Sequence, residues 1–191
     1  MSGKQETKVK ILETAAKLFQ KQGYHATGLN QIIKDSGCPK GSLYYYFPEG
    51  KEQLAIEAIN RAKEFATEQL KTLFSQHDDV TKALDDFLNQ FLNFDPKIAH
   101  DGIPLALISL ETWHMSERLR LACRDAYDAL VIILKEKFIE SNWSHAEAEE
   151  NAYLFFSMIE GSSIFALTYQ SKEPMKIISK GIMEIIETRS K

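Results

Sequence analysis

Apolar residues recur every three or four positions along almost the whole of this 191-residue chain. That spacing places the apolar side chains on one face of an α-helix. The sequence shows neither the strict apolar–polar alternation of a half-buried strand nor an internal repeat. The pattern therefore predicts an all-α protein of about nine helices.

The first fifty residues contain three predicted helices. The apolar stripe from Ile11 to Phe19 predicts the first one, which Gly23 should end. Short helices over 29–36 and 40–46 should follow, the second with Pro39 at its first position because the fixed φ of proline is helical. A supporting helix followed by two short helices is typical of a helix-turn-helix, whose last helix enters the major groove of DNA.

Caps and turns predict the remaining elements. Asp78 or Asp79, Ser116 and Ser144 are expected helix caps, and Ser144 begins a capping box with Glu147. Two prolines and a glycine predict a loop over 95–104. The predicted helices of this body cover 51–75, 78–94, 105–113, 116–140, 145–169 and a terminal stretch from 171 onward.

Several classes of protein are excluded by what the sequence lacks. No apolar run approaches the roughly 18 residues of a membrane span, and the N-terminus lacks the apolar core of a signal peptide. Cys38 and Cys123 are far apart and form no Cys-x-x-Cys motif, which argues against a disulfide framework and a structural zinc site. We therefore expect a cytoplasmic protein without membrane segment, metal or cofactor.

Charge is divided unevenly along the chain. Residues 1–51 carry eight lysines and four acidic side chains, whereas residues 52–191 carry fifteen basic and twenty-three acidic ones, for a net charge of −4 overall. A basic head on an acidic body favours contact between the head and a polyanion such as DNA. Solvated surfaces often show imbalances of this size, so charge alone leaves DNA as one alternative.

The predicted recognition helix has two faces. Leu43 and Phe47 lie four residues apart and should pack inward, whereas Lys40, Gly41 and Tyr44 share the opposite face. Lysine supplies positive charge, tyrosine offers a hydroxyl to phosphates and a ring to thymine methyls, and glycine permits close approach of a phosphate. Three consecutive tyrosines cannot all be buried on one short helix, which argues against an element that only packs on the body.

These residues resemble a known family. The segment from Thr27 to Phe47, with the sequence TGLNQIIKDSGCPKGSLYYYF, is similar to the DNA-binding signature of the TetR family of bacterial transcriptional regulators, and Ala15–Phe19 and Gly23-Tyr24 fit the same pattern. Residues near the N-terminus of the helix over 29–36 add backbone N–H groups that attract a phosphate. The candidate DNA-contacting residues are Thr27, Asn30, Gln31, Pro39, Lys40, Gly41, Ser42, Tyr44, Tyr45 and Lys51.

Two positions depart from the family's pattern. The family usually has Ser or Thr where Pro39 stands, which removes one hydroxyl that could contact a phosphate. The link from Phe47 to Lys51 is one residue longer than the usual form. This longer link resembles a branch named for a lincomycin-resistance repressor.

The resemblance implies a homodimeric repressor that releases a palindromic double-stranded DNA operator when a small-molecule effector binds the body. It implies a helix-turn-helix DNA-binding domain over residues 1–50 and an effector-binding and dimerisation domain over residues 51–191. One recognition helix would enter each half-site, so the half-sites should lie about one helical turn, or a multiple of it, apart.

The family also implies where the dimer contact and the effector site lie. Its last two long helices pack against their symmetry mates, although ordinary core of the single chain is the alternative for any one residue on them. The candidate interface residues are Phe156, Ile159, Ser162, Ser163, Ala166, Ile178, Gly181, Ile182, Ile185 and Ile186. The candidate effector residues, which combine apolar and polar groups, are Phe65, Phe91, Leu105, Ile108, Glu111, Trp113, His114, Cys123, Tyr127 and Phe155.

Enzyme motifs receive little support. Glu111-Thr112-Trp113-His114 matches the Glu-x-x-His of di-iron bundles, which need a second such motif and further glutamates. The sequence holds no zinc-protease, hydrolase or phosphate-loop motif, so we expect no catalytic residues. The alternative to a DNA-binding regulator is an all-α small-molecule-binding protein whose basic head contacts a protein partner. Steep salt dependence would identify DNA binding.

Overall fold

The computed structural model of this chain describes residues 3–93 and 105–189. Within these residues it contains nine helices and no strand, which confirms the predicted all-α class. The helices are α1 (Gly3–Ala26), α2 (Leu29–Ser36), α3 (Lys40–Tyr46), α4 (Lys51–Phe74), α5 (Val80–Asn93), α6 (Leu105–Thr112), α7 (Glu117–Glu140), α8 (His145–Tyr169) and α9 (Glu173–Arg189).

The observed helix bounds agree closely with those predicted from turns and caps. Helix α2 begins and ends at the predicted residues, and α3 covers the predicted 40–46 but without Pro39 at its first position. At the start of α8 the hydroxyl of Ser144 accepts a hydrogen bond from the Glu147 N–H, while the Glu147 carboxylate accepts one from the Ser144 N–H. This is the predicted capping box, which satisfies two N–H groups that a helix start leaves without an intrahelical partner. The predicted loop over 95–104 lies outside the described residues.

The chain divides into two compact units, Met1–Ala66 with Ala99–Tyr127, and Thr67–Ile98 with Asp128–Lys191. The sequence predicts a boundary after residue 50, between a DNA-binding domain and an effector-binding and dimerisation domain. This functional boundary stays a prediction. In the part of the chain that the structure describes, no helix combines the length and the apolar character needed to cross a membrane.

The first unit is built around α1, which packs against α2, α3 and α6. Its core holds both residues that the sequence places on the inner face of the recognition helix, since Leu43 and Phe47 are 0% exposed. Phe19, Ile32 and Ile108 belong to the same apolar cluster. Burial of side chains from every helix of the head against α1 fixes how α2 and α3 are held.

The second unit is built around α9, which packs against α5 and α8. Its apolar cluster includes Leu84, Leu134, Phe138, Phe155 and Ile182. The inner faces of α8 and α9 are therefore buried within a single chain, and residues on these faces cannot also lie at a dimer contact.

Candidate nucleic-acid interface

Helices α2 and α3 are joined by the short turn that the sequence predicts. Gly37 ends α2 in the left-handed region (φ 63°), and its N–H donates to the Lys34 carbonyl. Pro39 does not occupy the first position of α3: its ψ of 141° is extended, so it is the residue before the helix. Its carbonyl accepts a hydrogen bond from the Ser42 N–H at 2.9 Å. The difference is one residue, because proline also satisfies the φ that this preceding position requires.

The outer face of α3 is polar and aromatic. Tyr44 is 43% exposed and Tyr45 is 72% exposed, and the Lys40 ammonium lies 5.9 Å from the centroid of the Tyr44 ring. Pro39, Lys40 and Gly41 are exposed as well, and Ser42 is half-buried. One helix face thus combines a positive charge, two phenol hydroxyls and two aromatic rings, the groups that contact phosphates and thymine methyls.

Gly41 leaves room on this outer face. A Cβ atom added to it would meet no other heavy atom within 4 Å. The chain itself therefore does not require glycine at this position for packing. Glycine in a helix destabilises it relative to alanine, so an open glycine on the proposed readout face agrees with close approach of a ligand to the backbone.

The candidate residues at the start of α2 differ in accessibility. Asn30 is exposed, and Gln31 is half-buried and exchanges side-chain hydrogen bonds with Gln22 at 2.9 and 3.3 Å. Thr27 is 0% exposed, and its hydroxyl donates to the Gly23 carbonyl at 2.7 Å. The Thr27 side chain is turned inward, so its hydroxyl is not available to a phosphate, contrary to the expectation from the sequence.

The longer link between α3 and α4 forms a closed turn. Gly50 has φ 71° and donates its N–H to the Phe47 carbonyl at 2.9 Å. Lys51 follows, and its ammonium donates to the Tyr24 carbonyl at 3.1 Å and lies 4.3 Å from the centroid of the Tyr24 ring. Partial burial lowers the pKa of Lys51, and the Glu111 carboxylate opposes that shift. Lys51 therefore binds the protein backbone in this structure.

Glu111 has a position that the sequence does not predict. Its Oε2 atom accepts hydrogen bonds from the N–H groups of Tyr24 and His25, at 2.6 and 3.0 Å. The Glu111 carbonyl and the Nε2 atom of His25 are 3.0 Å apart. A residue expected to contact an effector is thus engaged with the turn that leads into α2. No local sequence signal could reveal this, since the partners are 86 and 87 residues apart.

The other candidate effector residues fall into separate places. Ile108 and Cys123 are buried in the apolar cluster of the first unit, with Leu105 packed against it. Burial raises the pKa of the Cys123 thiol. Of the rest, Phe65, Trp113 and His114 are exposed, Tyr127 is half-buried, and Phe91 and Phe155 belong to the cluster of the second unit.

The motif Glu-x-x-His does not form the pair that a metal site needs. Glu111 faces backbone N–H groups, and His114 is exposed. Among the residues that the structure describes, no group of three or more His, Cys, Asp and Glu side chains could hold a metal ion. Of the motif, only Glu111 takes part in the contact with α1.

The candidate dimer residues are of two kinds. Five are already buried within the single chain, namely Ile159, Ser162, Ala166, Ile182 and Ile186. The other five, Phe156, Ser163, Ile178, Gly181 and Ile185, are half-buried. The large apolar residues of the same two helices that are exposed are Tyr153, Leu154, Ile164, Phe165, Leu167, Tyr169 and Ile177. The sequence did not single out this second set, because apolar residues on opposite faces of a helix look alike when only their spacing is considered.

Two family models match the chain. One describes bacterial regulatory proteins of the tetR family and covers residues 11–58. The other describes the C-terminal domain of LmrA/YxaF-like transcriptional regulators and covers residues 80–181. The first match contains the whole of α2 and α3, and the second contains α5 to α8.

Two relatives from Bacillus subtilis (strain 168) match over nearly the full length. The HTH-type transcriptional regulator LmrA is 40% identical over 183 residues, which cover 95% of this chain and 97% of LmrA. The uncharacterized HTH-type transcriptional regulator YxaF is 37% identical over 190 residues, which cover 99% of this chain and all of YxaF (100%). These relatives and both family models are regulators of transcription and not enzymes.

Solved structures share the fold at lower identity. The reduced form of Escherichia coli NemR superposes with a TM-score of 0.83 at 22% identity, over 94% of this chain and 97% of that one. A TetR regulator from Chloroflexus aurantiacus J-10-FL gives 0.84 at 24% identity, over 98% and 97%. The outer face of α3, the two family models and the relatives agree: the chain belongs to the TetR family, in its LmrA/YxaF-like branch, and is a DNA-binding transcriptional regulator with a C-terminal domain of the family's ligand-binding type.

Proposed function

We propose that this chain is a homodimeric repressor that binds a palindromic operator through α3 and releases it when a small molecule binds the C-terminal domain. The outer face of α3 carries the proposal, because it presents Lys40, Tyr44 and Tyr45 beside the open Gly41. A helix of this kind in the major groove reads base edges while neighbouring groups hold phosphates.

The proposed dimer contact uses the outer faces of α8 and α9. On α8, Leu154, Gly161, Ile164 and Phe165 share one side of the helix, and all but the half-buried Gly161 are exposed. Exposed apolar side chains in such a continuous stripe favour burial against another molecule. A second copy fits this stripe, since a two-fold axis brings the same patch of both subunits together.

Two glycines support close approach of the partner helices. A Cβ atom added to Gly161 of α8 or to Gly181 of α9 would meet no other heavy atom within 4 Å. On α9, Ile178, Gly181 and Ile185 are spaced for one face and are half-buried. We therefore place the interface on these residues and on the exposed stripe of α8, with the five buried candidates supporting it from inside each protomer.

Release by an effector follows from differential binding. A small molecule can lower operator occupancy only if it binds the DNA-incompetent arrangement more tightly than the competent one. The C-terminal family model over residues 80–181 supports an effector site in that part of the chain. An operator-binding protein meets its DNA in the cytoplasm, so the proposal places the chain in that compartment.

A gel shift with DNA flanking the chain's own gene, repeated across a salt series, tests the proposal. One dimer complex that is lost steeply with added salt supports operator binding, since each neutralised phosphate contributes to the salt slope. The bound fragment then serves to screen small molecules for release. Failure to bind both the flanking fragments and a random-sequence pool would contradict the proposal and favour a protein partner for the basic head.

A further inference from the structure

Helix α1 is broken three residues before its end. Gly23 has φ 83° and ψ 171°, values outside the helical region. Such a break interrupts the ladder of i→i−4 hydrogen bonds, so nearby N–H groups need other partners. The break lies just before α2, the first helix of the helix-turn-helix.

Glu111, at the C-terminal end of α6, supplies those partners. Its Oε2 atom accepts from both Tyr24 N–H (2.6 Å) and His25 N–H (3.0 Å). A carboxylate that accepts backbone N–H bonds forms charge-assisted hydrogen bonds, which are stronger than those of a neutral acceptor. The same acid therefore holds two consecutive residues of the turn.

Two features of this junction favour glycine at position 23. Its positive φ is one that side-chain-bearing residues rarely adopt. In addition, a Cβ atom on residue 23 would overlap with the Oε1 atom of Glu111. The glycine thus lets the carboxylate lie directly against the backbone.

Other bonds of the same turn connect it to the DNA-reading helices. The Thr27 hydroxyl donates to the Gly23 carbonyl at 2.7 Å, and Lys51, the first residue after the α3–α4 link, donates to the Tyr24 carbonyl at 3.1 Å. The Thr27 bond closes the turn on itself, and Glu111 and Lys51 fix the turn from α6 and from the start of α4.

We propose that Glu111 is a positioning residue for operator recognition: its carboxylate fixes the broken end of α1 and thereby sets the orientation in which α3 meets DNA. The inference rests on the proposed operator binding by α3. It assigns Glu111 a role different from the effector contact expected from the sequence.

The sign of the electrostatic effect makes the idea testable. Glu111→Ala removes a negative charge from a protein that binds a polyanion, so charge alone would leave DNA binding unchanged or strengthen it. Loss of positioning should instead weaken the binding of specific DNA. Glu117→Ala is the matched control, because it removes the same charge from the same unit and Glu117 bonds to a side chain, Arg120, at 2.6 and 2.7 Å.

The experiment compares the full-length variants Glu111→Ala, Glu111→Gln, Gly23→Ala and Glu117→Ala with the unaltered protein. The probes are a duplex selected from random sequences by the unaltered protein and a non-specific duplex of equal length. We expect Glu111→Ala and Gly23→Ala to lower the ratio of specific to non-specific affinity about tenfold or more, which is about 1.4 kcal/mol. Glu111→Gln, which keeps a carbonyl acceptor, should restore most of the ratio, and Glu117→Ala should leave it unchanged.

Two further readouts separate positioning from folding. Amide hydrogen exchange of Tyr24 and His25 should accelerate in Glu111→Ala, and thermal unfolding reports the stability of each variant. An equal affinity ratio in Glu111→Ala and Glu117→Ala, with only a lowered melting temperature in the former, would overturn the inference and leave the proposed function intact. Failure of the unaltered protein to select any duplex would overturn the proposed function and this inference together.

Discussion

Lys51 donates a hydrogen bond to the carbonyl of Tyr24 at 3.1 Å, and its ammonium lies 4.3 Å from the centre of the Tyr24 ring. The start of α4 is thereby joined to the turn between α1 and α2. The resemblance to the family assigned this lysine to DNA, whereas the structure shows it bound to the protein. The two roles make different predictions for its removal.

Lys51→Met should lower the free energy of unfolding and leave the salt dependence of operator binding unchanged. The variant keeps the apolar stem but loses one hydrogen bond to a backbone carbonyl and the contact with the ring, together worth about 1–2 kcal/mol. Urea unfolding and a salt series of gel shifts measure the two effects. A salt slope that falls by about one unit, with stability unchanged, would assign Lys51 to a phosphate instead.

Lys40→Met should have the opposite effect to Lys51→Met, because it should change the salt dependence of operator binding and not the stability. Lys40 is exposed on α3 and lies 5.9 Å from the Tyr44 ring centroid, so its removal should alter stability little. We expect the slope of log affinity against log salt to decrease by about one unit per protomer contact with a phosphate. The same salt series measures it, and an unchanged slope would remove Lys40 from the phosphate contacts.

Tyr44→Ala should weaken operator binding by about tenfold or more and leave the dimer intact, since a good base contact is worth about 1–3 kcal/mol. Tyr44→Phe retains the ring and separates the contribution of the hydroxyl from that of apolar contact with a thymine methyl. Gel shifts and sedimentation equilibrium provide the two measurements. Dissociation of the dimer by Tyr44→Ala would assign Tyr44 to the dimer contact instead of the DNA-reading face.

Ile164→Asp should yield a folded monomer with little operator affinity, because Ile164 is 47% exposed in the stripe proposed to meet the partner. A charge in that stripe would be buried without a partner on dimerisation. Ile132→Asp is the control, since Ile132 of α7 is similarly exposed (52%) and lies outside the stripe. Light scattering after gel filtration should show a monomer for the first variant and a dimer for the second. A dimer for both variants would contradict the proposed interface.

The capping box of α8 gives a prediction about pH. The Ser144 hydroxyl and N–H both bond to the Glu147 carboxylate, and these bonds lower the pKa of Glu147 from its ordinary value of 4.5. A lowered folded-state pKa stabilises the fold above the unfolded value, and this contribution is lost as the pH falls through the lowered pKa. Ser144→Ala should raise the Glu147 pKa and lower the melting temperature at neutral pH by about 2–4 °C. NMR titration of the Glu147 carboxyl carbon and calorimetry check both. An unshifted titration in Ser144→Ala, which keeps the backbone N–H bond, would show that the Ser144 hydroxyl does not cause the lowered pKa.

Local signals in the sequence were sufficient for the elements and for the outer face of α3. Gly37 and the capping box at Ser144 mark helix ends by their backbone chemistry, and the spacing of Leu43 and Phe47 alone identifies the buried side of α3. These features depend on residues within one or two helical turns of each other, which is the range over which periodicity and capping are informative.

Long-range contacts were beyond that reach. Glu111 and Tyr24 are 87 residues apart, and nothing in the local pattern of either predicts the hydrogen bond between them. The two sides of α8 present a related problem. Ile159 is buried in the apolar cluster of the second unit and Ile164 is exposed. Both are isoleucines on an apolar helix, and only the packing of the other helices of that unit decides which one is covered.

Helix α3 and the exposed stripe of α8 belong to different units of the chain, which has a genetic consequence. A subunit altered only at Tyr44 retains its outer α8 surface. In a cell that also makes the unaltered chain, it would form the proposed dimer with normal subunits, and such dimers would bind only one half-site. A subunit altered at Ile164 would not pair and would leave the normal dimers untouched. In a merodiploid strain carrying an operator-controlled reporter, the Tyr44→Ala allele should therefore be dominant and the Ile164→Asp allele recessive.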